Sequence, residues 1–107
     1  MPTYLIQASY TAQGVSGLTQ SPEDRSGVIR SLLEGLGGTL EAFYYAFGDY
    51  DVEIVELPDS VSMAAFSMAL GASGAVTNVK TTVLIPVSEG VEAARKAGSI
   101  GYRPPGS

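Results

Sequence analysis

The stretch that most constrains this chain is Thr39 to Leu57, TLEAFYYAFGDYDVEIVEL. It reads as two strands meeting at a turn on Gly48-Asp49. A strand sends alternate side chains to opposite faces. With the turn at that place, one face carries Phe43, Tyr45, Phe47, Tyr50, Val52 and Ile54. The other carries Leu40, Ala42, Tyr44, Ala46, Val55 and Leu57, with Asp51 and Glu53 among them. Neither face is properly polar. One layer of helices covers one face of a sheet, so the second face needs another cover. In a chain of 107 residues the expected cover is a second copy of the same chain.

The flanking segments supply the rest of the sheet and the helices. Tyr4 to Tyr10 alternates as a first strand. Thr11 to Gln20, with Gly14 and Gly17, reads as a loop. Ser21-Pro22-Glu23-Asp24 has the residues of a helix start: a capping serine, a proline at the first helical position and two acids at the positive end of the dipole. Val28, Ile29, Leu32, Leu33 and Leu36 then recur at helical spacing, and Gly37-Gly38 ends the run. Pro58-Asp59-Ser60 stops the hairpin and caps a second helix, Val61 to Leu70, apolar round much of its circumference and so expected to be buried on more than one side. Val76 to Ile85 alternates as a fourth strand. Ser88 to Ala97 reads as a short helix capped by Ser88.

The order β-α-β-β-α-β is the split βαβ pattern. The expected fold class is α+β, ferredoxin-like. It has a four-stranded antiparallel sheet with both main helices on one face, plus an extra short C-terminal helix. Residues 1–98 form the expected single domain and residues 99–107 a flexible tail. The uncovered sheet face would be an interface, stacked on a second sheet as in the dimeric α/β barrels.

Composition removes several classes of function. There is no histidine and no cysteine. That excludes a Ser-His-Asp or Cys-His device and the commonest zinc and haem ligands. The net charge is −5. No basic residue lies between Arg30 and Lys80, while Glu34, Glu41, Asp49, Asp51, Glu53, Glu56 and Asp59 all do. Phosphate backbones and anionic membranes need clustered lysine and arginine, so neither nucleic acid nor membrane is an expected partner. The chain enters a strand almost at once, without a basic region or long apolar segment, so the cytoplasm is its expected location.

Phe47-Gly48-Asp49-Tyr50-Asp51, then Val52 to Leu57 and Pro58-Asp59, resembles the GYD domain family of small prokaryotic proteins. Pro2-Thr3-Tyr4, Leu70-Gly71-Ala72-Ser73-Gly74 and Val76 to Thr82 fit the same pattern. The resemblance runs over about Met1 to Ile85. It implies the dimeric α/β-barrel fold and a bacterial source, and it implies no particular activity. Fold alone does not choose a function.

The candidate pocket or interface residues are Tyr44, Asp51, Glu53, Tyr50 and Val55. Asp51 and Glu53 are expected on one face with Tyr44, where carboxylate and phenol would hold or deprotonate a small polar ligand. Burial and like charge there would raise the carboxylate pKa. The plainer reading is that Asp49 shapes the turn, Asp51 and Glu53 pair with Lys80 or Arg30, and the tyrosines Tyr4, Tyr10, Tyr44, Tyr45 and Tyr50 pack. Asp49-Tyr50-Asp51-Val52-Glu53 lacks a calcium-loop pattern, so no metal and no cofactor is expected. Three functions follow. The first is a cytoplasmic homo-oligomeric, non-catalytic module binding a small molecule between packed sheets. The second is a cofactor-free monooxygenase or isomerase using Tyr44 with Asp51 or Glu53. The third is a purely structural assembly subunit.

Overall fold

The computed structural model of the chain describes residues 2–46 and 48–106, with Val52 in its backbone only. The face expected for Phe47, and that for the Val52 side chain, lie outside the described residues. In chain order the elements are β1 (Thr3–Tyr10), α1 (Ala12–Gln20), α2 (Ser26–Gly35), β2 (Thr39–Tyr44), β3 (Asp51–Glu56), α3 (Ser60–Ala72), β4 (Val76–Leu84) and α4 (Val87–Ser99). The strands form one sheet in the order β2-β3-β1-β4, and the neighbouring pairs are antiparallel. This is the ferredoxin-like α+β arrangement that the alternation and helical spacing indicate.

The core lies on one face of the sheet. Tyr4 and Ile6 of β1, and Val55 and Leu57 at the end of β3, meet Ile29 and Leu33 of α2 and Met63 and Phe66 of α3. Leu33, Val55, Leu57 and Phe66 are fully buried. α2 ends in a Schellman arrangement: Gly37 takes a φ of +80°, its N–H donates to the Glu34 carbonyl, and the Gly38 N–H donates to the Leu33 carbonyl. A side chain at Gly38 would run into the Glu56 carbonyl and the Leu57 side chain, so the chain passes there only as glycine.

The hairpin differs from the expected one. β2 and β3 are not joined by a tight two-residue turn; six residues, 45–50, separate them. β2 also carries an irregularity between Leu40, paired with Val55, and Ala42, paired with Ile54. The strand-to-strand register therefore lies one residue away from that of an uninterrupted hairpin, and a one-residue slip turns every side chain to the other face. Phe43 pairs with Glu53 on the helix-covered face, whereas Tyr44 lies on the bare face, as do Ala42 and its partner Ile54.

Two helices also depart from expectation. The segment read as a loop forms α1. Thr11 caps it, its Oγ1 accepting from the Gly14 N–H at 3.1 Å and donating to the Gly74 carbonyl at 2.8 Å. α2 starts at Ser26, four residues after the Pro22 start; Asp24 Oδ1 accepts from the Ser26 N–H at 2.9 Å. α3 is capped by Asp59, which accepts from the Ser62 N–H at 2.7 Å. Only Met63 and Phe66 of α3 are buried, and Val61 and Met68 are 79% and 75% exposed, so its expected burial on several sides does not occur within one chain. α4 runs from Val87 without a side-chain cap, so Ser88 lies inside the helix and does not cap it.

Candidate functional site

A cavity of about 450 Å³ opens between the helices and the covered face of the sheet. Its floor is Tyr10, Phe43, Glu53 and Val76; its walls come from Gly14, Gly17 and Leu18 of α1, Val28, Ile29 and Leu32 of α2, and Ala69 and Leu70 of α3. The volume falls within the range of small-molecule sites, which are mostly apolar with few polar groups. A second hollow of about 330 Å³ lies alongside, lined by Asp24, Arg25, Ser26, Phe43 and Tyr45.

The cavity exists because of α1. Gly14 lies against the Ala75 carbonyl and the Tyr10 ring, where a Cβ would collide with both. This close approach, with the Thr11 cap and the Thr11 N–H donating to the Ala75 carbonyl at 2.9 Å, fixes α1 across one end of the sheet. Arg25 at the start of α2 forms part of the lining, and its Nη1 is 2.7 Å from Glu23 Oε1.

Glu53 is the chemically unusual group of this floor. It sits on β3 between Ile6 of β1 and Phe43 of β2. Its Oε2 is sealed from solvent and has no hydrogen-bond partner among the described residues. Burial, reinforced by the neighbouring Asp51 carboxylate, pushes its pKa from the usual 4.5 up to about 7. Burial also raises the Asp51 carboxyl. The Tyr10 phenol is raised too, first by burial and then by its neighbour Tyr45, whose hydroxyl is 3.3 Å from its own. Tyr45 stacks edge-on against Phe43 at 5.3 Å between ring centres. One end of the covered face thus joins two carboxylates, two phenols and a phenyl ring.

The expected site residues divide between locations. Asp51 and Glu53 do share a face, but that face is the helix-covered one. Tyr44 lies on the opposite face, 64% exposed, so the expected pairing of Tyr44 with Asp51 or Glu53 does not form. Val55 is completely buried in the core under α2 and α3, not on the bare face. Tyr50 lies half-buried in the connection before β3. Ser9 Oγ donates to the Asp49 carbonyl, which ties that connection to β1. Neither Asp51 nor Glu53 forms an ion pair with Lys80 or Arg30 among the described residues. Tyr10, Phe43, Arg25 and the α1 residues are the members that alternation alone does not single out; Thr11, with Leu18 seven residues later, is the signal that marks α1.

The GYD domain family matches the chain over residues 4–94. This chain belongs to the GYD domain family. The matched span takes in every lining residue of the larger cavity, Tyr10 to Val76, so the cavity is a feature of the GYD domain and not of an appended segment. Among curated proteins, the chain is similar to the glutamine synthetase and cystathionine beta-lyase binding protein of Thermus thermophilus. The two are 31% identical over 90 residues, which is 83% of this chain and 94% of the relative. No solved structure matches the chain significantly. No described helix of this GYD domain is long and apolar enough to cross a membrane.

Proposed function

We propose that this GYD domain is a cytoplasmic, homo-oligomeric, non-catalytic binding module that holds a small, partly apolar molecule in the cavity above Glu53. The observation that carries this reading is a roomy apolar cavity whose floor holds a sealed carboxylate oxygen without a partner. An unpaired buried polar atom costs about 1–3 kcal/mol, and a ligand donor set against the Glu53 carboxylate offsets part of that cost. The site so proposed lies between sheet and helices, not between two sheets. The separation of Tyr44 from both carboxylates removes the dyad on which an oxygenase or isomerase reading rests. Native mass spectrometry of the purified protein tests the proposal: a bound small molecule lost on filling the cavity with Leu32→Trp supports it, and an empty protein that binds nothing from a metabolite library opposes it.

Self-association completes the reading. The bare sheet face presents Leu5, Ala42, Tyr44, Ile54 and Leu84, and the outer side of α3 presents Val61, Ala65, Met68 and Ala72. α4 has no buried residue, yet Val87, Val91, Ala94 and Gly98 fall in one stripe at helical spacing. A second copy would cover these surfaces.

The relative from Thermus supports a second reading, in which the ligand is another protein. Its name says that it binds glutamine synthetase and cystathionine beta-lyase. Mixing this chain with each purified enzyme and measuring the sedimentation of the mixture tests whether that property extends here; a new, faster boundary is the expected result on this reading.

A further inference from the structure

The chemical class of the ligand can be narrowed, on the reading that the cavity is a binding site. Glu53 lines the cavity, and its Oε2, sealed from solvent, has no hydrogen-bond partner among the described residues. Asp51 lies two residues before it on the same face of β3, opposite Ala8. The one cationic lining group, Arg25, is already paired with Glu23. The remaining floor is Val76 and two aromatic rings, Tyr10 and Phe43, with Tyr45 packed against both rings. An anionic ligand would meet the Glu53 carboxylate, with the Asp51 charge nearby, and no unpaired cation among the described lining residues. A neutral donor would pair with the Glu53 carboxylate but leave its charge uncompensated. A protonated amine does both, and an ammonium is also attracted by aromatic faces within about 6 Å of a ring centre. The apolar walls from α1, α2 and α3 then suit the rest of the molecule.

We infer that the cavity takes a small monoamine with an apolar, aromatic-sized body, its ammonium anchored by the Glu53 carboxylate and its body held between Leu18, Val28, Leu32 and Leu70. No covalent step is involved. Glu53 acts as the specificity-determining residue because it is the lining carboxylate with no ion-pair partner among the described residues, while Asp51 adds to the negative field from the next position on that face.

Three isosteric probes test this: tryptamine, its alcohol tryptophol, and indole-3-acetate. The chain has no tryptophan, so the indole fluorescence reports each probe without interference, and its anisotropy gives the affinity. Tryptamine is expected to bind the intact protein at least about tenfold more tightly than tryptophol, the order of a charge-assisted over a neutral hydrogen bond, and indole-3-acetate is expected to bind most weakly. Glu53→Gln is expected to bring tryptamine and tryptophol within about twofold of each other. Equal affinities for tryptamine and tryptophol in the unaltered protein would overturn the amine assignment and leave the small-molecule reading standing. An amine preference that survives Glu53→Gln would place the amine on the acidic surface and also overturn the assignment. Failure of all three probes to bind would overturn the assignment, and the reading on which it rests falls with it only if the protein is also empty by native mass spectrometry and binds nothing from the metabolite library.

Discussion

At the scale of single residues, Glu53 makes the fold sensitive to pH even without ligand. Its carboxyl titrates near 4.5 in an unfolded chain and is pushed up to about 7 in the fold by burial and by Asp51. Below pH 4.5 both states hold the proton. As pH rises from 4.5 to 7, the unfolded chain releases it first, so the folded state loses ground throughout that window. At 1.36 kcal/mol per pH unit the loss is at most about 3 kcal/mol. Asp51, raised by burial, acts in the same direction. Asp24 and Asp59, held low by hydrogen bonds from Ser26 and Ser62, act in the opposite sense but at lower pH. Urea unfolding is therefore expected to show a less stable protein at pH 8 than at pH 5. Glu53→Gln should flatten that difference and raise stability at pH 8. A wild-type protein that gains stability between pH 5 and pH 8 would contradict the buried, unpaired state of this carboxylate. A pair of acids on one strand face was legible from alternation alone; that the face lies under the helices was not.

At the scale of elements, the two misread segments share a cause: in both, a local signal was overridden by a contact distant in sequence. Gly14 and Gly17 argue against a helix by propensity. The helix forms because Gly14 must lie against Ala75 and because Thr11 supplies a cap that also ties α1 to Gly74. In the hairpin, the alternation within each strand was read correctly. Phe43 and Tyr44 do point apart, as do Glu53 and Ile54. The relative register was not legible, because it depends on the connection at residues 45–50 and on the irregularity at Glu41, and neither leaves a periodic trace. The four-stranded antiparallel sheet with both main helices on one side was legible because it follows from the order of elements and the handedness of crossovers. Thr11→Ala should cost about 1 kcal/mol, the usual loss of a cap, and weaken cavity binding by loosening α1. Gly14→Ala should displace α1 from Ala75 and reduce binding more than stability. Thermal unfolding and tryptamine anisotropy on the same samples separate the two effects; binding unchanged in both variants would mean that α1 is not a wall of the site.

At the scale of the whole molecule, one chain leaves large hydrophobic side chains exposed on α3, α4 and the sheet, among them Val61, Met68, Val87, Val91 and Tyr44. Its radius of gyration is 17.5 Å, against about 13 Å for a compact domain of this length, and its long axis is 60 Å. The excess goes with α4, which has no buried residue. Two adjacent residues of β3 separate assembly from folding, because alternation points them to opposite faces. Ile54 sits on the bare face between Leu5 and Ala42, and Val55 is wholly enclosed in the core. A lysine at 54 can extend into solvent in the monomer but would carry its charge into a stacked sheet interface. A lysine at 55 has no route out of the core, and burying that charge costs several kcal/mol. The native protein should therefore sediment as a dimer or larger species at micromolar concentration. Ile54→Lys should sediment as a monomer with unchanged far-ultraviolet circular dichroism, whereas Val55→Lys should lose its cooperative unfolding transition. If Ile54→Lys remains as large as the native species, the bare sheet face is not the contact between copies. The exposed stripe on α3 and the apolar side of α4 would then be the surfaces to alter next, beginning with Met68→Lys and Val91→Lys.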